Sequence, residues 1–353
     1  MIQMHNLLYE QYDFPIFQNR MYSSKAEAIA CPKGHIRLVE DIETGLVYNS
    51  AFSQKLMKYD ASYQNEQAVS PLFKSHLEMV AIIIEHTIGR ERLVEVGCGK
   101  AFFLETLISK GFDVKGFDPK YEGSNTAVQN KYFEPGVIAQ QDGLILRHVL
   151  EHIQNPIEFL QQLKLANGGS GKIYIEVPCF DWICEHKAWF DIYYEHVNYF
   201  RLSDFTRMFG EIIESGRIFG NQYLYLIAEL SSLKVPIIDM SDRVSFPTDF
   251  TNSITFEGTA EQRGIVIWGG ASKGVIFALL KERAGYLVES VIDINPAKQG
   301  KFIAGSGLCI KTPEQGTVSL ENNATIYIMN SNYIEEIKKI THNRFNYVGI
   351  ENE

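Results

Sequence analysis

Short apolar runs alternate with stretches of helical periodicity along most of the chain. The first helical stretch follows Ser70-Pro71, and its apolar residues recur at helical spacing: Phe73, Leu77, Met79, Val80, Ile83 and Ile84. Apolar runs of strand length follow at residues 93–96, 114–117, 143–146 and 172–178, with a helix expected over Ile157 to Leu165. This alternation predicts an α/β fold with a mostly parallel, doubly wound sheet of the Rossmann type.

The pattern divides the chain into three parts. Residues 1–70 carry short β-like pieces among many tyrosines, which indicates a small N-terminal accessory or lid module. Residues 71–232 hold the main sheet, in which the crossover after Asp118 is compressed and one strand–helix unit is expected to be shortened or missing. After a variable segment, residues 233–353 repeat the order of strand, glycine turn and helix, with a later strand ending on Asp293. We therefore predict a second, C-terminal Rossmann-like unit.

The most informative stretch is the turn that follows the strand at 93–96. Glycines stand at 97 and 99, and the next strand ends on Asp118. Glycines let the backbone pass close to a ligand, and an acid that closes the second strand can accept both hydroxyls of a ribose. The spacing from Gly97 to Asp118 fits a nucleotide-binding half-sheet.

The glycine pattern separates the candidate ligands. A dinucleotide site requires a third glycine where the helix meets a pyrophosphate, whereas Ala101, Phe102 and Phe103 follow Gly99 here. Glu-x-Gly-x-Gly followed by an acid resembles motif I of the class I S-adenosylmethionine (SAM) methyltransferases. The resemblance implies SAM as cofactor, S-adenosylhomocysteine (SAH) as product, and the methionine part of SAM beside Gly97 and Gly99.

Composition narrows the class of partner. With 33 basic and 43 acidic residues the formal charge is −10, which disfavours a nucleic-acid substrate. The amino terminus lacks a basic region followed by an apolar core, and no stretch approaches about 18 uninterrupted apolar residues, so we expect a cytoplasmic protein without membrane contact. Five scattered cysteines form neither a disulfide framework nor a zinc knuckle, and we expect no metal site.

Two segments between the units carry further chemistry. Leu146 to Ile153 contains His-Val-Leu-Glu-His, which resembles a stretch common in class I methyltransferases and implies that Arg147 and His148 lie beside SAM. The cofactor site implied by these resemblances comprises Glu95, Gly97, Cys98, Gly99, Asp118, Pro119, Arg147 and His148. The second segment, Trp189 to Phe200, is half aromatic and includes Glu195 and His196, a composition that can enclose a pocket around one titratable base.

The second segment resembles the Tyr-x-Glu-His-x-x-Tyr-Phe motif of sugar C-methyltransferases of the deoxysugar pathways. The resemblance continues in Asn295-Pro296-Ala297-Lys298-Gln299-Gly300 and in Tyr59-Asp60-x-Ser62-Tyr63 with Asn65. One departure is clear: where that family carries the second cysteine pair of an N-terminal zinc module, this chain has Asp41-Ile42-Glu43-Thr44-Gly45. This departure weakens the inference that the chain acts on the same substrate as that family, but it does not affect the resemblance at the SAM site.

Carbon methylation of a nucleotide-linked keto-sugar requires a base for the proton α to the carbonyl and a donor for the enolate oxygen. The resemblance implies His196 as the base, with Glu195 orienting its ring or binding a sugar hydroxyl. Tyr194 and Tyr199 are the expected donors to the enolate. Lys273 and Lys298 are the expected contacts to the phosphates of the acceptor, which we expect to be a small nucleotide-linked molecule.

Two other functions fit parts of the pattern. An O- or N-methyltransferase acting on a small natural product or nucleotide-linked substrate would use the same SAM site. An NAD-linked oxidoreductase would use one or both glycine turns, but the first turn lacks the third glycine and the second, Gly269-Gly270-x-x-x-Gly274, fits less well. Loss of the exchangeable α-proton distinguishes the carbon route from the first alternative, and binding of SAM against NAD excludes the second.

Overall fold

The computed structural model describes residues 5–57, 70–255 and 264–352. The resemblance at Tyr59 to Asn65 therefore lies outside the described residues. The described strands are β1 His5–Pro15, β2 Lys33–Asp41, β3 Val47–Asn49, β4 Leu93–Val96, β5 Val114–Phe117, β6 Val128–Gln129, β7 Gly143–Arg147, β8 Lys172–Pro178, β9 Asn198–Tyr199, β10 Ile212–Ile218, β11 Tyr223–Glu229, β12 Ile265–Trp268, β13 Val288–Ile292, β14 Ile310–Lys311, β15 Thr325–Ile328 and β16 Asn346–Gly349. The described α-helices are α1 Lys25–Ile29, α2 Pro71–Thr87, α3 Phe102–Ser109, α4 Pro156–Ala166, α5 Phe180–Glu185, α6 Leu202–Met208, α7 Ser272–Arg283, α8 Pro313–Thr317 and α9 Ile334–Ile340.

The central sheet has seven strands in the order β10-β11-β8-β7-β4-β5-β6. The strands from β4 to β8 pair in parallel, while β10 and β11 extend one edge as an antiparallel hairpin. Strand β4 is buried at all four positions, as its apolar run predicts for a strand covered on both faces. No helix separates β5 from β7, and β6 has two residues, so the compressed crossover is confirmed.

The C-terminal sheet has five parallel strands in the order β14-β13-β12-β15-β16. Taken from the other edge, this order matches β8-β7-β4-β5-β6 of the central sheet, strand for strand. Each sheet therefore has a switch point, between β4 and β7 and between β12 and β15, where ligands of open α/β sheets bind. The expected doubly wound fold with a second Rossmann-like unit is confirmed.

A four-stranded sheet in the order β1-β2-β3-β9 joins the N-terminal strands to a strand from the middle of the chain. The turn after β2 is closed by the carboxylate of Asp41, whose Oδ1 accepts hydrogen bonds from the backbone N–H groups of Glu43 at 3.0 Å and Thr44 at 2.8 Å. This turn lies at the position where the sugar C-methyltransferases that the chain resembles carry their second cysteine pair. The division of the chain at residues 70 and 232 stays a prediction.

None of the helices in the described ranges is both long and apolar enough to cross a membrane. The five cysteines form no disulfide.

Gly274, in the first turn of α7, lets the helix approach the glycine turn that precedes it. A Cβ atom at this position would lie 1.8 Å from the carbonyl oxygen of Gly269. The backbone of the turn would have to move to admit it, because a backbone oxygen cannot rotate aside as a side chain can. Close packing of α7 on β12 therefore depends on this glycine.

Replacing Gly274 with alanine should destabilise the protein by about 1–3 kcal/mol, the usual effect of forcing a methyl group into a packed site. Urea unfolding followed by fluorescence measures the change. Gly210→Ala is the matched control, because its Cβ would meet its nearest neighbour, the Ser232 carbonyl oxygen, at 3.6 Å. Equal effects of the two substitutions would contradict the steric account.

Candidate active site

Two cavities open at the carboxyl ends of the two parallel sheets. The central cavity lies at the glycine turn after β4, and the C-terminal cavity lies at the glycine turn after β12; each has a volume of about 230 Å³. They share the lining residues Asn19, Pro178, Tyr193, Tyr223 and Ser272. The two cavities are therefore adjacent and share one wall, and we call the pair the cleft.

The glycine turn of the central sheet has the open geometry that the sequence indicates. Gly97 and Gly99 have φ values of +75° and +54°, in the left-handed region that favours glycine. A Cβ at Gly97 would come within 2.6 Å of Val149, whereas one at Gly99 would meet nothing within 4 Å. Gly97 thus allows close packing of the turn on the chain after β7, and Gly99 leaves room beside the cavity.

Asp118 closes the turn from the end of β5. Its Oδ2 accepts a hydrogen bond from the backbone N–H of Gly99 at 2.8 Å, and its Oδ1 accepts one from Lys120 at 2.8 Å. Of the expected cofactor residues, those lining the central cavity are Glu95, Gly97, Cys98, Gly99, Arg147 and His148. Asp118 contacts this lining through Gly99, and neither Asp118 nor Pro119 is itself among the lining residues.

Glu95 is a buried carboxyl group in the wall of the central cavity. Burial raises its pKa to about 8 from an ordinary value of 4.5, Arg147 partly opposes that shift, and Asp118 adds to it. Its Oε2 is buried and makes no hydrogen bond to the described residues. At neutral pH the group is therefore mostly protonated and presents a polar atom that a ligand can satisfy.

Arg147 and His148 are held from behind by Glu176, a fully buried residue of β8. The Glu176 carboxylate accepts hydrogen bonds from Arg147 at 3.0 and 3.2 Å, and lies 3.1 Å from His148 Nε2 and 3.0 Å from His76 Nε2. Burial alone would raise the pKa of Glu176, but the charge of Arg147 and the hydrogen bonds from both histidines lower it well below its usual range. The carboxylate is therefore ionised and fixes both cavity residues.

His148 is itself charged. Burial opposes its protonation, but the hydrogen bonds to Glu151 and Glu176 prevail and raise its pKa to about 9. Its backbone φ of +52° is unusual for a residue other than glycine and marks the sharp bend where the chain leaves β7. The central cavity thus carries two cations, Arg147 and His148, at its floor.

The aromatic segment after α5 lies between the two cavities. His196 is 6% exposed, and its ring centroid lies 4.2 Å from that of Tyr193 and 5.0 Å from that of His152. Burial lowers the pKa of His196 well below 6.5, and the nearby charges of His152, His148 and Lys273 lower it further. The ring is therefore uncharged at neutral pH and keeps a lone pair.

The structure differs from the expected roles of the tyrosines. Neither Tyr194 nor Tyr199 lines either cavity. The Tyr194 hydroxyl accepts a hydrogen bond from the Ser53 N–H at 2.8 Å, and that of Tyr199 bonds to the backbone of Tyr193 at 3.1 Å. Both hydroxyls are therefore engaged by backbone groups. Tyr193, which lines both cavities, is the residue that sequence reasoning missed.

Glu195 connects separate parts of the chain. It lines the central cavity, and its Oε1 accepts hydrogen bonds from the backbone N–H groups of Gln18 at 2.6 Å and Asn19 at 3.3 Å. Asn19 in turn accepts a hydrogen bond from the Ser272 hydroxyl at 3.1 Å. No local motif announces Asn19, because its position in the cleft depends on contacts between residues far apart in the sequence.

Lys273 and Lys298 both line the C-terminal cavity and both have acidic partners. Lys273 Nζ lies 3.1 Å from Asp191, and Lys298 Nζ lies 3.3 Å from Asp293. The Oδ2 of Asp293 also accepts a hydrogen bond from the backbone N–H of Gly270 at 2.9 Å. This bond repeats the bond between Asp118 and Gly99, so the two glycine turns are closed in the same way.

Comparison with known proteins agrees with this geometry. Residues 59–212 match the family model of a methyltransferase domain, which spans less than half of the chain. No curated protein matches the chain.

Several solved structures are similar at low identity. A protein from Pyrococcus horikoshii is 11% identical, with coverage of 50% of this chain and 100% of that one and a TM-score of 0.37. A SAM-dependent methyltransferase from Archaeoglobus fulgidus is 18% identical, with coverage of 46% and 100% and a TM-score of 0.33. The 1,6-didemethyltoxoflavin-N1-methyltransferase of Burkholderia thailandensis, crystallised with SAH, is 12% identical, with coverage of 53% and 96% and a TM-score of 0.34.

The family match shows that residues 59–212 hold a methyltransferase domain, which contains the glycine turn and the parallel strands β4 to β8. SAM is the methyl donor of this enzyme class, and the chain holds the corresponding domain around its central sheet.

Replacing Glu95 with glutamine should stabilise the ligand-free protein increasingly as the pH rises. The unfolded carboxyl ionises near pH 4.5, whereas the folded group stays protonated up to about pH 8. Between these values the wild type loses about 1.4 kcal/mol of unfolding free energy per pH unit relative to the variant. Urea unfolding at several pH values in this window measures the difference. Glu78→Gln, at an exposed position on α2, is the matched control; a pH-independent difference for Glu95→Gln would contradict the prediction.

Proposed function

We propose that this enzyme transfers the methyl group of SAM to a carbon atom of a nucleotide-linked keto-sugar. The observation that carries the proposal is the wall shared by the two cavities: Tyr193 lines both of them, and its ring contacts that of His196. SAM occupies the central cavity and the acceptor occupies the C-terminal cavity. The methyl donor and the carbon that accepts it then meet beside His196.

The central cavity fits SAM in both charge and shape. Gly99 leaves open space where the methionine part passes, and the Asp118 carboxylate lies behind it for the ribose hydroxyls. Arg147 and His148 supply positive charge for the methionine carboxylate. Glu95 offers its unpartnered oxygen to the cationic end of the cofactor.

His196 acts as the base in this proposal. Its uncharged imidazole takes the proton α to the sugar carbonyl, and the electrons of that C–H bond form an enolate. The enolate carbon then attacks the methyl group of SAM, the S–CH₃ bond breaks, and SAH leaves with the bonding electrons on sulfur. The Tyr193 ring centroid lies 4.2 Å from that of His196, and the Tyr193 hydroxyl donates a hydrogen bond to the enolate oxygen.

The C-terminal cavity takes the nucleotide part of the acceptor. Trp268, Tyr223 and Tyr333 provide apolar and aromatic surface for a base and a sugar ring. The start of α7 and the amines of Lys273 and Lys298 provide positive partial and full charges for the phosphates. In this proposal residues 233–353 act as the acceptor domain, residues 71–232 as the donor domain, and residues 1–70 as the module that completes the wall through Asn19.

Replacing His196 with asparagine should abolish methyl transfer and leave SAM binding within about threefold of the wild type, because the proposal assigns SAM binding to Asp118, Arg147 and His148. The acceptor's α-hydrogen should exchange with deuterated solvent in the wild type when SAH replaces SAM, and should not exchange in the variant. Mass spectrometry follows both reactions, and calorimetry follows SAM binding. His342→Asn, at an exposed histidine that lines neither cavity, is the matched control.

Turnover by His196→Asn at the wild-type rate would contradict the role of the base. A product methylated on oxygen or nitrogen, without loss of the α-hydrogen, would instead support the O- or N-methyltransferase alternative.

A pair of neighbouring tyrosines tests which hydroxyl faces the enolate. Tyr193→Phe should lower kcat about 10-fold or more through loss of a donor to the developing negative charge. Tyr194→Phe should lower stability by about 1 kcal/mol, since its hydroxyl accepts the bond from Ser53, and should leave kcat near the wild-type value. Steady-state kinetics and urea unfolding of both variants distinguish the two roles, and the reverse pattern would assign the donor to Tyr194.

A further inference from the structure

Three side chains at the floor of the central cavity form a compact set of metal-binding groups. Glu151, His152 and His196 all line this cavity, and one potential ligand atom of each lies within 4.8 Å of the other two. Two of them are adjacent in the chain, while His196 comes from the aromatic segment across the cleft. The set combines one carboxylate with two imidazoles.

Glu151 has a carboxylate oxygen that is available to bind a cation. The residue is 1% exposed, and its Oε1 lies 3.2 Å from His148 Nδ1. Its Oε2 is buried and makes no hydrogen bond to the described residues. A buried carboxylate oxygen without a partner is unfavourable, so a cation at this position would satisfy a group that the protein leaves open.

His152 is oriented as metal-bound histidines usually are. Its Nδ1 lies 2.8 Å from the backbone carbonyl oxygen of Glu195, so that nitrogen carries the hydrogen and donates it. Nε2 is therefore the ring nitrogen left to bind a metal ion. A backbone carbonyl that fixes the tautomer and direction of the ring is a typical support for a ligating imidazole.

The spacing is close to that of a bound ion. Ligand atoms of a tetrahedral zinc ion at about 2.1 Å from the metal are separated by about 3.4 Å. The three ligand atoms lie within 4.8 Å of one another, so each would have to move by about an ångström toward a common centre to bind one ion. The cleft leaves the fourth coordination position open to water or another small ligand.

We propose that Glu151, His152 and His196 form a site for a divalent transition-metal ion of the zinc class, and that its occupation inhibits methyl transfer. Two imidazole nitrogens favour such ions over Mg²⁺ or Ca²⁺, which prefer oxygen ligands. Inhibition rests on the proposed function, because the metal would hold the lone pair of His196 that otherwise accepts the acceptor's proton. Binding of the metal itself does not depend on that function.

Titration of the tag-free, metal-free wild-type protein with Co²⁺ tests the site directly. We expect visible d–d absorption that saturates at one ion per chain and disappears when Zn²⁺ is added. Glu151→Gln and, separately, His152→Asn should weaken Co²⁺ binding about 10-fold or more through loss of one ligand, while the exposed-site control His342→Asn should bind like the wild type. Near-ultraviolet circular dichroism reports that each variant is folded.

The absence of saturable absorption, or equal Co²⁺ affinity in Glu151→Gln, His152→Asn and the wild type, would overturn the site. In the activity arm, stoichiometric Zn²⁺ should inhibit the wild type and a chelator should restore activity. Zn²⁺ bound at one ion per chain without inhibition would overturn the part played by His196. The Co²⁺ measurement needs no acceptor. If the proposed acceptor is wrong, the activity measurement fails, but the result for metal binding still stands.

Discussion

The ionised carboxylate of Glu176 is the interaction on which the cleft depends. It is fully buried, and it gathers Arg147 and His148 from the end of β7, His76 from α2 and the Tyr174 hydroxyl from its own strand. A buried charge is tolerated only when such partners compensate its loss of hydration, and removal of one partner leaves the others uncompensated. The helix before the glycine turn, the switch point and the cavity floor are thereby held in one arrangement.

A second constraint is the repetition of one α/β unit in two sheets that face a common cleft. Both sheets use the same order of five parallel strands, and both close the first glycine turn with an aspartate from the neighbouring strand. The side chains that line the two cavities differ. The central cavity is rich in histidine and carboxylate groups, whereas the C-terminal cavity is rich in aromatic and aliphatic side chains.

Local signals predicted most of the parallel strands and the glycine turns. The run at 93–96 became β4 with the same bounds, and the compressed crossover after Asp118 became the two-residue strand β6. These elements were predictable because apolar runs, glycines and strand-ending acids act within a few residues of each other.

The parts that could not be predicted depend on contacts between distant segments. The position of Asn19 in the cleft follows from Glu195 and Ser272. That Tyr193 and not Tyr194 lines the cavities depends on the turn at residues 194–195 and on the hydrogen bond between Tyr194 and the distant Ser53. The set of Glu151, His152 and His196 escaped a search based on cysteine spacing, since its members belong to two segments joined only in the folded chain.

The two aspartates that close the glycine turns have a consequence for how ligands are received. Backbone N–H groups hold both carboxylate oxygens of Asp118, from Gly99 and Lys120, and both of Asp293, from Gly270 and Asn295. Neither side chain is free to rotate, so a ligand that binds to these carboxylates causes little loss of rotational entropy. The carboxylate of each glycine turn is therefore preorganised.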